Sequence, residues 1–253
     1  MRNPSRRNRN IGTSKQGFGN NNRFDIPETS STKSFVEQIE NYSKEYRTIN
    51  GHQFTFIIEQ TRTTSRHACS INDIERMLNF IPSKDYGELE HIVFRQPKRK
   101  EEIHSPVWGR LLYSFDFEGE FAPAIILEAV DYQKFFKCTK KLSVESQIEI
   151  DRLRQDGHEL IEEKRFFRAE YKIENVRNTQ LYRTLLHEFG HYVHYLEVVE
   201  RPGTDGEDIE EWEKRHDSYF RIPKSEKEKY AHKYADRIRE ELIGKRLIPF
   251  NSL

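Results

Sequence analysis

Apolar residues recur at helical spacing through residues 179–198, where Leu185, Leu186, Phe189, Val193 and Leu196 cover most of the circumference. A helix apolar over that much of its surface is a buried one, and Arg201-Pro202-Gly203 ends it. Its remaining face carries Thr184, His187, His191 and His194 at i, i+3, i+7 and i+10. A second helix is predicted over 225–243, with Ala231, Tyr234, Ala235, Ile238 and Leu242 as its apolar stripe. Glu228, three residues before Ala231, continues that stripe, whereas Glu226 and Asp236 turn to the polar side. Earlier in the chain the pattern predicts a helix over 34–50, a strand over 53–60 and a short helix over 71–80 stopped near Pro82. Strands follow over His91–Arg95, 110–117 and 122–130, the last two joined as a hairpin by Glu118-Gly119-Glu120. A helix over 143–160 and a strand over 166–173 precede the histidine-bearing helix. Strands and helices in this order give an α+β fold. No repeat or helix-turn-helix pattern is present.

The same helix contains His187-Glu188-Phe189-Gly190-His191, with the two histidines on its polar face and Glu188 about 100° further round. Residues i and i+4 stack on one helix face, so His187 and His191 can reach one zinc ion, with Glu188 beside it as general base. Buried histidines otherwise need hydrogen-bond partners, and a pair of satisfied core histidines is the plain alternative. A zinc site needs a third protein ligand, with a fourth position open. Glu228 is the candidate, because it faces inward from the second helix. The same residue completes Ser225-Glu226-Lys227-Glu228, a capping-box pattern in which it would bond back to the Ser225 N–H. His216 and His232 are further possible ligands. His194 lies about 10 Å along the axis from His187, too far for the same ion, and suits a contact around the site or the helix wall. A developing oxyanion needs a donor, for which Tyr230, His232, Tyr234 and His194 are all candidates.

Leu185-Leu186-His187-Glu188-Phe189-Gly190-His191, followed by Glu228-x-x-Ala231-x-x-Tyr234-Ala235, resembles the ImmA/IrrE family of zinc metallopeptidases over about residues 180–243. His232 and Tyr234 stand where that family has Asn and Phe, and the segment between the motifs is long. The resemblance implies a gluzincin-like zincin: a small mixed or antiparallel sheet, an HExxH helix, and a following helix that carries the third ligand. It implies His187, His191 and Glu228 as zinc ligands, Glu188 as general base, and cleavage of a specific regulator- or repressor-like protein. Gluzincin-like sites lay an extended substrate along a sheet edge, and 122–130 or 166–173 is the expected edge. Two other readings of the motif are a zinc-stabilised regulatory binding protein without turnover and a zinc hydrolase of a non-peptide amide.

Composition narrows the setting. The 253 residues are 35% hydrophobic, 33% charged and 12% aromatic, with formal net charge zero, which argues against a generally nucleic-acid-seeking protein. No run approaches the roughly 18 apolar residues of a membrane span. Cys69 and Cys138 are far apart without metal spacing, and a cytoplasmic, reducing compartment is the expectation. Residues 1–33 hold seven basic residues against two acidic, a net +5, in an Asn-, Ser- and Gly-rich context that marks a disordered tail. That tail is the one place where nucleic acid would be engaged; no membrane partner is expected. Residues 34–253 read as one domain, with a recognition or sheet part over 34–140 and a zinc-site part over 141–253. Residues 205–213 contain six acids, yet Ile209, Trp212 and Tyr219 recur at helical spacing, predicting an amphipathic helix whose charges form a solvated face, with a lid or substrate-selecting rim as the alternative.

Overall fold

Asn50 and Gly51 turn the chain back on itself. Both have positive φ, 50° and 82°, as a two-residue type I′ turn requires. They join β1 (Tyr42–Ile49) to β2 (His52–Glu59), paired antiparallel from Ile49↔His52 to Tyr42↔Glu59. This corrects the helix expected over 34–50. Lys44, Glu45 and Arg47 resemble a helix surface in composition, but β1 is an edge strand, where charged side chains discourage pairing with other chains. The molecule is seen as a computed structural model that describes residues 36–104, 107–140, 144–204 and 206–250. The tail expected over 1–33 lies outside the described residues.

After β2 the chain forms β3 (Ser65–Arg66), α1 (Ile71–Leu78), a 3₁₀ turn (Ser83–Asp85), β4 (His91–Arg95) and α2 (Arg99–His104). Ser70 caps α1 by accepting from the Asp73 N–H, and Asp73 accepts from the Ser70 N–H in return. Next come β5 (Gly109–Phe117) and β6 (Glu120–Glu128), a hairpin closed by Glu118 and Gly119 at φ 55° and 91°. The principal sheet runs β1-β2-β4-β6-β5. Its central pairs, β2/β4 and β4/β6, are parallel, while β1/β2 and β5/β6 are antiparallel. β4 is buried along its whole length, as a strand covered on both faces must be.

Alternation of side chains assigns the two faces. Phe54, Phe56, Ile92, Phe94, Ile125 and Leu127 pack into the larger core with the helices. Ile57, Val93, Phe115, Ala124 and Ile126 form a smaller core on the other face, against which Val36 and Ile39 pack. β7 (Val130–Asp131) pairs with β3, and β8 (Phe135–Thr139), β9 (Ile161–Glu162) and β10 (Phe166–Glu170) form a second sheet ordered β8-β10-β9. Between them lies α3 (Val144–Gln155).

The helical run that holds the histidines begins earlier than the apolar pattern indicates. α4 (Ile173–Thr179) continues through a π-helical turn (Gln180–Thr184) into α5 (Leu185–Tyr195) and a second π-helical turn (Leu196–Glu200). The first turns are secured by tertiary contacts rather than by an apolar stripe. Thr179 donates to Asp156, and Gln180 donates to the carbonyls of Trp108 and Glu128 at 2.9 and 2.7 Å, tying the helix to the sheet. The chain then forms α6 (Ile209–Arg221) and α7 (Lys224–Gly244). Val36–Leu253 forms one unit, whose larger core draws on the sheet, α1, α5 and α7 alike.

Neither strand expected to be a substrate-binding edge is one. β6 lies between β4 and β5, and β10 lies between β8 and β9. The edge beside α5 is β5. α6 is the expected amphipathic helix: Tyr219 is fully buried and Trp212 packs on the core, but Ile209 is 64% exposed and takes no part in that face. Among the described residues, no helix is long and apolar enough to cross a membrane.

Candidate metal centre

α5 and α7 approach closely because Gly190 faces Ala231. A Cβ on Gly190 would stand 2.7 Å from both the Cα and the carbonyl oxygen of Ala231, nearer than non-bonded atoms pack. Two small residues thus let the helices touch backbone to backbone, which brings the polar face of α5 against the first turns of α7. His187 Nε2 lies 3.1 Å from His191 Nε2 and 3.2 Å from Glu228 Oε2, and His191 Nε2 lies 3.7 Å from the same oxygen. Ligands held tetrahedrally at about 2.0–2.1 Å from zinc stand roughly 3.3 Å from one another. The three observed separations bracket that value, so this donor set fits zinc. The side chains of His187 and His191 are 15% and 16% exposed and that of Glu228 is 35% exposed, so the cluster opens to solvent on the α7 side.

The two readings of Glu228 part here. α7 starts at Lys224 behind Pro223, without a side-chain cap, and the Glu228 carboxylate meets the two imidazoles instead of the Ser225 N–H. Hydrogen bonds from His187 and His191 hold its carboxyl far below the ordinary range, against the opposing effect of burial.

His232, one turn beyond Glu228, joins the cluster, and His187, Glu228 and His232 each offer a ligand atom within 4.8 Å of the others. His187 and Glu228 therefore belong to two overlapping triads, completed by His191 or by His232. Arg152 on α3 decides between them. Its guanidinium lies 3.1 Å from His232 Nε2, and since Arg can only donate, that nitrogen accepts and the other carries the proton. An imidazole so engaged has no lone pair left for a metal. Burial, with the positive surroundings of His187 and Arg152, lowers the His232 pKa to about 4, so the ring is neutral. The His187 ring lies 4.3 Å from it, and His187 Nδ1 is buried without a hydrogen-bond partner.

Glu188 projects toward the sheet. Its Oε2 accepts from the Leu111 N–H of β5 at 2.8 Å. Burial raises its pKa, opposed by His187, His191 and that backbone bond. Two residues along β5, the Tyr113 hydroxyl donates to that of Tyr219 at 2.8 Å, and Tyr219 donates to the His191 carbonyl at 3.2 Å, which anchors α6 on α5.

The remaining candidates separate by position. The Tyr230 hydroxyl donates to Glu197 at 2.6 Å and that of Tyr234 to Asp85 at 3.0 Å, so both are spent elsewhere. The His194 ring stacks on Tyr230 at 4.3 Å as part of the helix wall. His216 stacks on Trp212 at 4.9 Å and lies among the aromatic residues of α6. Sequence patterning misses Leu111, which acts through its backbone, and Arg152, whose helix carries no motif. The pair Glu228 and His232 at i and i+4 was a readable signal, because that spacing places both on one helix face. No protein-family model matches the chain, and neither the curated proteins nor the solved structures contain a match to it.

Proposed function

We propose that this protein is a zinc metallopeptidase of gluzincin-like fold, similar to the ImmA/IrrE family, which hydrolyses a peptide bond in a specific regulator- or repressor-like protein. The observation that carries the reading is the triangle of His187 Nε2, His191 Nε2 and Glu228 Oε2, with sides of 3.1, 3.2 and 3.7 Å, next to the half-buried carboxylate of Glu188. Zinc in such a site supplies Lewis acidity and makes water acidic near neutral pH. Glu188, between the histidines and fixed by the Leu111 N–H, takes the proton of the attacking water and hands it to the leaving amine. His232 is the donor assigned to the developing oxyanion: it is neutral, held by Arg152, and adjacent to His187. β5 is the edge strand beside α5, along which a peptide can lie extended.

Metal analysis of the purified protein beside Glu228→Gln is the first test. About one zinc per chain, weakened in the variant, supports the site; a wild type that takes up no zinc sinks it. Peptide libraries and small amides are then offered to wild type and to Glu188→Gln. Peptide cleavage confined to the wild type supports the peptidase. Cleavage of amides alone moves the assignment to a non-peptide hydrolase, and zinc binding without turnover moves it to a regulatory binding protein.

A further inference from the structure

β6 carries a proline, Pro123, inside the principal sheet. Proline brings no N–H to the ladder, so within a sheet it sits at an edge or a bulge. The β5/β6 register shifts at this point: Leu112 pairs with Ala124 and Phe115 with Ala122, so Tyr113 and Ser114 together face Pro123. The extra residue reverses the alternation of β5. Leu111 and Tyr113 pack on the larger core with α5, whereas Phe115 and Phe117 belong to the smaller core on the other face. Tyr113 is thus the last apolar side chain of β5 on the face of the metal centre, two residues from the N–H that holds Glu188. The Phe220 ring of α6 stands edge-on to it, with centroids 5.3 Å apart and the planes at 86°. Tyr219, next in the chain, is fully buried, but Phe220 is 45% exposed. Lys227 on α7, the neighbour of Glu228, holds its Nζ 5.5 Å from the centre of the Phe220 ring.

A single exposed Phe is ordinary on a protein surface, but the position of this one is not. Its ring lies against the β5 residue beside the anchor of Glu188 and against the α7 residue beside Glu228. A peptide extended along β5 puts alternate side chains on the face that Leu111 and Tyr113 share. Cross-strand neighbours come within about 4.5–5.5 Å of each other, Cβ to Cβ, so the neighbour of Tyr113 meets both aromatic rings. We infer that Tyr113 and Phe220 form a specificity-determining subsite, which takes a large apolar side chain of the peptide substrate close to the scissile bond. The inference rests on the peptidase reading above and names the substrate chemistry that reading leaves open. Seating the side chain removes apolar surface of both partners from water, and the Lys227 ammonium repels a basic one.

A peptide library varied one position at a time, cleaved by the zinc-loaded full chain and read by mass spectrometry, tests this. At one position near the cut, Phe, Leu and Met are expected to raise kcat/KM about tenfold or more over Ala, the order that one apolar contact supplies, with Lys and Arg below Ala. Phe220→Ala, a change at an exposed ring, should remove most of that preference while zinc content stays at the wild-type level. Binding of a labelled Phe-bearing peptide to Glu188→Gln, followed by fluorescence anisotropy, should weaken about tenfold when Phe220→Ala is added. Phe121→Ala, at a ring 70% exposed beside the Gly119 turn, is the control and should leave the preference intact. Failure of the zinc-loaded wild type to cleave any peptide overturns the peptidase reading and this inference with it. Cleavage without an apolar preference near the cut overturns the inference alone. So does a preference or a binding strength unchanged in Phe220→Ala, a loss there shared equally by all peptides, or a preference lost in both variants.

Discussion

Replacing Gly190 with Ala tests whether the approach of α5 to α7 sets the metal geometry. The added Cβ would stand 2.7 Å from the Cα and the oxygen of Ala231. Comfortable contact is about 3.5 Å, so the helices must part by roughly 0.8 Å. Both obstacles are backbone atoms, so no side-chain rotation relieves them. Overpacking of this kind costs about 1–3 kcal/mol, and the better helix propensity of Ala returns about 1 kcal/mol. A net loss of up to roughly 2 kcal/mol lowers Tm by up to about 8 °C in a domain of this size. The same displacement moves Glu228 away from two histidines now at 3.2 and 3.7 Å, beyond the roughly 0.2 Å tolerance of a zinc site. Zinc affinity should fall at least tenfold. Thermal unfolding and competition with a chromophoric chelator measure the two effects. Gly244→Ala is the control: nothing lies within 4 Å of its Cβ at the end of α7, so the exchange should leave zinc binding intact and raise stability by a few tenths of a kcal/mol, up to about 1. If Gly190→Ala matched the wild type in both Tm and zinc affinity, the argument from helix approach would be refuted.

Glu188→Gln should retain zinc while turnover falls at least a hundredfold, on the order of a lost general base; loss of metal in that variant would contradict the division of roles. His232→Ala should lower kcat by about 10²-fold with zinc content unchanged, whereas metal loss would restore His232 as a ligand. Asp73 joins α1 to α4 through Arg177, with Arg177 Nε 3.0 Å from Asp73 Oδ2. Burial favours the neutral Asp73 carboxyl, but the bonds from Arg177 and the Ser70 N–H outweigh it and hold its pKa below the ordinary value. A depressed acid contributes stability that is full above its unfolded pKa of about 4 and is lost as pH falls through the lower folded value. Asp73→Asn should therefore cost less than the roughly 3–5 kcal/mol of a fully buried pair at pH 7, and its deficit against wild type should close as pH falls below about 4. Urea unfolding across pH measures it, and a deficit constant down to pH 2 would refute the linkage.

The sequence by itself determined the two helices of the site. Periodic apolar residues can bury only one way, so His187 and His191 had to share the polar face of a buried helix with Glu188 about 100° further round, while Glu228 continued the inward stripe of Ala231 and Tyr234 and also completed a capping-box pattern. Strands such as His91–Arg95 and the hairpin around Gly119 were legible for the same local reasons. The strand at Tyr42–Ile49 was not, because an edge strand carries charges in no fixed period and its pairing is fixed by the Asn50-Gly51 turn and by β2. Contacts between elements distant in sequence leave no local pattern. The separation of Glu228 from the histidines, the hold of Leu111 on Glu188, the guanidinium of Arg152 on His232 and the Phe220 ring on Tyr113 arise only when α3, α5, α6, α7 and β5 pack. Tertiary structure alone decided which of the available polar groups meet, since hydrogen bonding and charge pairing act over a few ångströms of space whatever the distance along the chain.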